Sequence, residues 1–102
     1  MTRWFVSRHP GAVDWAKHRT LRVDRFVSHL DPAEVAAGDV VMGTLPVDIA
    51  AEVCRRGASF YHLRLNASED QRGRDLSADD LRNLGAGLEK YLVTRLEDDD
   101  EL

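Results

Sequence analysis

Two short stretches of this chain carry the side chains that chemistry would need. Ser7-Arg8-His9-Pro10-Gly11 sets a hydroxyl, a guanidinium and an imidazole on consecutive residues and closes in Pro-Gly. Gly43-Thr44-Leu45-Pro46 sets a hydroxyl between a glycine and a proline. A guanidinium offers a planar fork of donors that matches phosphate oxygens. An imidazole accepts, donates or passes on a proton near neutral pH. Gly43 lets the main chain approach a neighbour closely, and Pro46 suits the start of a helix. A helix start presents unsatisfied N–H groups and the positive end of its dipole to an anion. The two stretches therefore predict a pocket for a phosphate-rich ligand, with Ser7, Arg8, His9, Pro10 and Gly11 on one side and Gly43, Thr44, Leu45 and Pro46 on the other. Arg72 and Arg74, in Arg72-Gly73-Arg74, are further candidates for phosphate contact. Each group also has a plainer reading: Arg8 and His9 as ordinary loop residues, Thr44 as a helix N-cap, Arg72 and Arg74 as solvated cations.

The remaining chemistry-bearing residues exclude more than they offer. His9, His18, His29 and His62 lack zinc-ligand spacing, and no cysteine pair supports them, so no metal or other cofactor is expected. The single cysteine, Cys54, rules out an internal disulfide and falls on the apolar face of a predicted helix, where a buried, inert thiol is expected. There is no Walker-type loop, no dinucleotide-binding glycine fingerprint and no nucleophile elbow. No apolar run is long enough to cross a membrane and the N-terminus lacks a signal peptide's apolar stretch, so a cytoplasmic protein is expected. The net charge of −4 is concentrated in Glu97, Asp98, Asp99, Asp100 and Glu101, which mark residues 97–102 as a solvated, disordered acidic tail. The rest of the chain is close to neutral, which is not the strongly basic surface needed to grip long nucleic acid.

Strands and helices must alternate to place the two stretches. Arg3 to Ser7, with Trp4, Phe5 and Val6, predicts strand 1, and the short apolar run Val40 to Met42 predicts a strand buried on both faces. Leu21–Val27 and Ser59–Leu65 predict two more strands, the former at an edge. Helices are predicted over Ala12–His18, briefly from Asp31-Pro32-Ala33-Glu34 towards Gly38, over Val47–Gly57, and onward from Ser77. Ser77 and Asp80 form a capping-box pair, and Leu81, Leu84, Leu88, Tyr91 and Leu92 form a helical apolar stripe. The alternation predicts one α/β domain over residues 1–96: a four-stranded, mainly parallel sheet in the order 2-1-3-4 with helices on both faces. The C-terminal ends of strands 1 and 3 then form the topological switch point, where open α/β sheets bind ligands. The two glycine- and proline-bearing stretches are the loops at that point. The polar loop from Asn66 to Leu76 should emerge at the same edge.

The sequence also resembles the small CRISPR-associated Csx-sixteen family found with type III CRISPR systems. The resembling pieces are Phe5-Val6-Ser7-Arg8-His9-Pro10-Gly11-Ala12, His29-Leu30-Asp31-Pro32, Gly38-Asp39, Gly43-Thr44-Leu45-Pro46, Ala50-Ala51-Glu52-Val53-Cys54, Gly57-Ala58, and Arg72-Gly73-Arg74 with Leu76-Ser77. The resemblance implies a Rossmann-like domain related to CARF sensor domains. It implies a homodimer that holds a cyclic oligoadenylate, and an enzyme that cleaves cyclic tetra-adenylate to end the type III response. A protein that sequesters the ring uncut, a structural accessory of the CRISPR effector complex and a general phosphate-ester enzyme are the alternatives. In the first reading Arg8, His9 and Thr44 are the catalytic residues, and Ser7, Pro10, Gly11, Gly43, Leu45, Pro46, Arg72 and Arg74 bind the ligand.

Overall fold

The computed structural model describes residues 1–65 and 76–96. Five strands form one sheet: β1 (Arg3–Val6), β2 (Arg25–Val27), β3 (Val40–Gly43), β4 (Ser59–Arg64) and β5 (Gly87–Tyr91). Their order is β2-β1-β3-β4-β5, so the expected four-stranded order 2-1-3-4 is corrected by a fifth strand outside β4. The first four strands run parallel, and β5 pairs antiparallel with β4, placing Leu63 opposite Leu88. Helix α1 (Pro10–His18) follows β1, α2 (Val47–Arg55) follows β3 and α3 (Ala78–Asn83) precedes β5.

Period-2 alternation divides the core between two faces of the sheet. Trp4, Val6, Val41 and Phe60 point to one face and pack with Leu30, Val35, Ala50 and Val53. Phe5, Met42 and Leu63 point to the other and pack with Ala12, Trp15, Ala16 and Leu81. Thus α2 covers one face, and α1 with α3 covers the opposite one. Trp4 and Trp15 are both core residues.

Three elements differ from the sequence reading, each for a local reason. The long C-terminal helix is replaced by α3 and β5, because Gly85 takes a positive φ of 71° and ends the helix. The capping box at its start is present, with Ser77 Oγ accepting from the Asp80 N–H and the Asp80 carboxylate accepting from the Ser77 N–H. Strand β2 is shortened to Arg25–Val27 because the Asp24 carboxylate, rather than a main-chain carbonyl, accepts the Arg3 N–H at 2.8 Å. The segment after Asp31 makes one 3-10 turn, Pro32–Glu34, with the Asp31 carboxylate capping the Ala33 N–H. Cys54 is only half-buried, and its Sγ accepts from the Val93 N–H at 3.5 Å. Residues 97–102, expected as an acidic tail, lie outside the described residues.

Asp39 is a buried charged residue at the entry to β3. Its carboxylate accepts from the Thr2 N–H, the Ala36 N–H and the Trp4 indole. Burial pushes its pKa up, but hydrogen bonds from Thr2, Ala36 and Trp4 outweigh burial and hold it below the ordinary 3.8. Replacing Asp39 by Ala leaves three donors without their acceptor and should cost about 3 kcal/mol of stability. A folded-state pKa below the unfolded one stabilises above the unfolded value and is lost as pH falls through the folded value. The denaturant-measured gap between wild type and Asp39→Ala should therefore be full at neutral pH and shrink below pH 3.8.

Candidate functional site

Because β1, β2 and β3 are parallel, the residues that follow each of them emerge at one edge of the sheet. Ser7, Arg8 and His9 leave β1, Ser28, His29 and Leu30 leave β2, and Thr44, Leu45 and Pro46 leave β3. With Val6 and Ile49 they wall a cleft of about 640 Å³. Val6 and Leu30 are buried at its base, whereas Arg8, His9, Ser28, His29 and Thr44 are exposed on its walls. The cleft lies at the switch point, since the chain passes from β1 to β2 on one side and then to β3 on the other.

The main chain fixes the two loops against each other. The Ser7 N–H donates to the Val27 carbonyl at 3.0 Å, tying the β1 loop to the end of β2. Ser7 Oγ accepts from the His9 N–H at 3.1 Å and so shapes the turn into α1. At Gly43 φ is +120°, and a Cβ there would lie 2.1 Å from the Val6 carbonyl oxygen. The close approach expected of Gly43 is thus to the end of β1. The Thr44 N–H donates to the same Val6 carbonyl at 3.2 Å, so it is committed to the fold and does not supply the anion contact expected of it.

The helix starts differ from the simplest reading. His9 is the N-cap of α1 and Pro46 that of α2, and neither makes a side-chain capping bond. Helix α2 starts at Val47 as expected, with Pro46 immediately before it, and the Thr44 hydroxyl is not a cap. Pro10 and Gly11 line a second hollow of about 390 Å³, with Arg8, His9, Asp14, Leu76, Ser77 and Ala78. Arg8 and His9 are shared between the two spaces. A Cβ at Gly11 would lie 1.7 Å from the Leu76 carbonyl oxygen, so Gly11 is where α1 meets the chain entering α3. Arg72 and Arg74 lie outside the described residues.

The chemistry of the cleft walls is one-sided. They carry one guanidinium, two imidazoles and the hydroxyls of Ser7, Ser28 and Thr44, and none of the lining residues is acidic. Among the described residues the side chains of Arg8, His9 and His29 form no hydrogen bond or ion pair. Such a surface favours an anion with several acceptor oxygens. Ser28 and His29 are additions to the sequence reading. Their signal was β2 itself: a strand parallel to β1 sends its next residues to the same edge.

A family model described as "Putative CRISPR-associated protein (Cas_VVA1548)" matches residues 4–94. The chain belongs to this CRISPR-associated family. The match to Cas_VVA1548 takes in the three cleft loops and helices α1, α2 and α3. No curated protein and no solved structure matches the chain. Among the described residues of this Cas_VVA1548 member, no helix is long and apolar enough to cross a membrane. Nor do three or more His, Cys, Asp or Glu side chains gather there as metal ligands would.

Proposed function

We propose that this CRISPR-associated protein is a cytoplasmic, homodimeric ring nuclease that binds cyclic tetra-adenylate and cleaves it, switching off type III CRISPR signalling. The carboxylate-free cleft with Arg8, His9 and Thr44 on its walls is the observation that carries this reading. The resemblance to the Csx-sixteen family supplies the identity of the ring.

The reaction follows from the ligand's own groups. A ribose 2′-hydroxyl attacks the adjacent phosphorus, the bond from phosphorus to the 5′ oxygen breaks, and the ring opens to a 2′,3′-cyclic phosphate and a 5′-hydroxyl. The protein has to hold attacking and leaving oxygens in line and stabilise charge on the non-bridging oxygens. Arg8 clamps the phosphate, the Thr44 hydroxyl holds a further oxygen, and His9 assists proton transfer. Ser7, Leu45 and Pro46 shape the cleft, Gly43 and Gly11 hold its supporting turns, and Pro10 starts the helix behind it. Arg72 and Arg74 add positive charge. A two-fold symmetric ring fits a two-fold dimer with one cleft from each copy.

Incubating the protein with cyclic tetra-adenylate in EDTA, and resolving products by chromatography and mass spectrometry, tests the reading. Linear products ending in 2′,3′-cyclic phosphate are expected. An intact but tightly bound ring would make the protein a non-cleaving sponge. An intact, unbound ring would overturn the ligand and leave the accessory role in the CRISPR effector complex.

A further inference from the structure

We propose that His29 is the second proton-transfer residue of the cleft, paired with His9 across the scissile phosphate. The inference rests on the ring-cleavage reading and adds a residue and a division of labour to it. In-line displacement puts the attacking 2′ oxygen and the departing 5′ oxygen on opposite sides of phosphorus. A base must take the 2′-hydroxyl proton on one side, and an acid must protonate the 5′ oxygen on the other. One imidazole held on one wall does not serve both positions in the same step.

The cleft supplies two imidazoles from separate loops. Val6 and Val27 are register partners on adjacent parallel strands, and the Ser7 N–H bonds the Val27 carbonyl. The β1 and β2 loops therefore start level, about 4.8 Å apart. His9 lies three residues beyond Val6 and His29 two beyond Val27, both exposed on the cleft walls. The other two histidines are placed elsewhere: His18 Nδ1 lies 2.7 Å from the Asp14 carbonyl at the far end of α1, and the His62 ring packs between Phe60 and Tyr91. Among the lining residues His9 and His29 carry the two imidazoles, the side-chain type most often used for general acid–base transfer. The charged groups on the surrounding elements are Arg8 before α1, Asp14 and Lys17 on α1, Arg25 on β2, Asp31 after it, and Asp48, Glu52 and Arg55 on α2.

The step balances within the pair. One neutral imidazole takes the 2′-hydroxyl proton as the 2′ oxygen bonds phosphorus. The other, protonated, gives its proton to the 5′ oxygen as that bond breaks. The two histidines end with exchanged protonation states and reset through solvent.

The test uses the full chain, cyclic tetra-adenylate, and the same ring with one bridging 5′ oxygen replaced by sulfur, a leaving group that needs no acid. His9→Ala and His29→Ala should each lower single-turnover rate about 10²–10³-fold, and bind a 2′-deoxy ring as wild type does. The bell-shaped pH–rate profile of wild type should lose one limb in one variant and the opposite limb in the other. Cleavage at the sulfur linkage should restore the rate of only the variant that lacks the acid. A His29→Ala protein with wild-type rate and both limbs would overturn the pairing, as would sulfur rescue of both variants or of neither. Failure of wild type to open the ring at all would instead overturn the ring-cleavage reading.

Discussion

Arg8→Ala should lower kcat/KM on cyclic tetra-adenylate by about 10²–10³-fold, the loss seen when one preorganised donor to a developing oxyanion is removed. Arg8 follows β1 directly, is exposed on the cleft wall and has no acidic side chain as partner among the described residues. Its charge is therefore available to a phosphate without first breaking an ion pair. Arg8→Lys should recover only part of the loss, because an ammonium keeps the charge but lacks the planar fork. The melting temperature should stay near wild type in both, since an exposed side chain without partners contributes little to folding. Steady-state kinetics with a thermal melt on the same preparations checks both statements. Unchanged kinetics in Arg8→Ala would remove it from the site.

Gly43→Ala is expected to have the largest effect on stability. The substitution meets two obstacles: a φ of +120° that L residues rarely adopt, and a Cβ placed 2.1 Å from the Val6 carbonyl oxygen. Relief requires moving the end of β3 away from the end of β1, which breaks the Thr44 N–H to Val6 bond. A loss of roughly 3 kcal/mol or more follows, lowering Tm by at least about 12 °C for a domain of this size. Gly38→Ala is the matched control. Its φ is also positive, at 88°, but nothing lies within 4 Å of a Cβ there, so it should cost only about 1 kcal/mol. Differential scanning calorimetry separates them, and similar melting temperatures would show that the β1–β3 contact is not what Gly43 protects.

The parts of the fold legible in the sequence are those whose signals are local. Trp4-Phe5-Val6 and Val40-Val41-Met42 read as strands because both their faces are buried. The α2 stripe and the Ser77–Asp80 capping box are patterns within one or two turns. The C-terminal region misled because Leu81, Leu84, Leu88 and Tyr91 fit a helical period, while the strand after the Gly85 turn is set by its pairing with β4, which places Leu88 opposite Leu63. Strand β2 read too long because an Asp24 carboxylate replacing a ladder carbonyl has no sequence signature.

The same division holds at the site. Ser7, Arg8, His9, Thr44, Leu45 and Pro46 were legible as a group, because a strand ending in Gly and Pro is itself a signal, and they share one cleft. Gly43 was legible as a close-approach residue, but the neighbour it meets, the Val6 carbonyl, follows only from tertiary packing, as does the approach of Gly11 to the Leu76 carbonyl. His29 went unassigned because its loop, Ser28-His29-Leu30, becomes a cleft wall only once β2 lies parallel to β1.

The proposed function requires that a phosphate-rich ring occupy the cleft between the loops after β1, β2 and β3. Amide chemical-shift mapping during titration with a 2′-deoxy cyclic tetra-adenylate, which lacks the attacking hydroxyl, tests it most directly. Shifts should concentrate in Ser7–Gly11, Ser28–Leu30 and Thr44–Ile49, with saturation at one ring per dimer. Shifts centred instead on the groove between α2 and residues 92–95, or no shifts at any concentration, would contradict it.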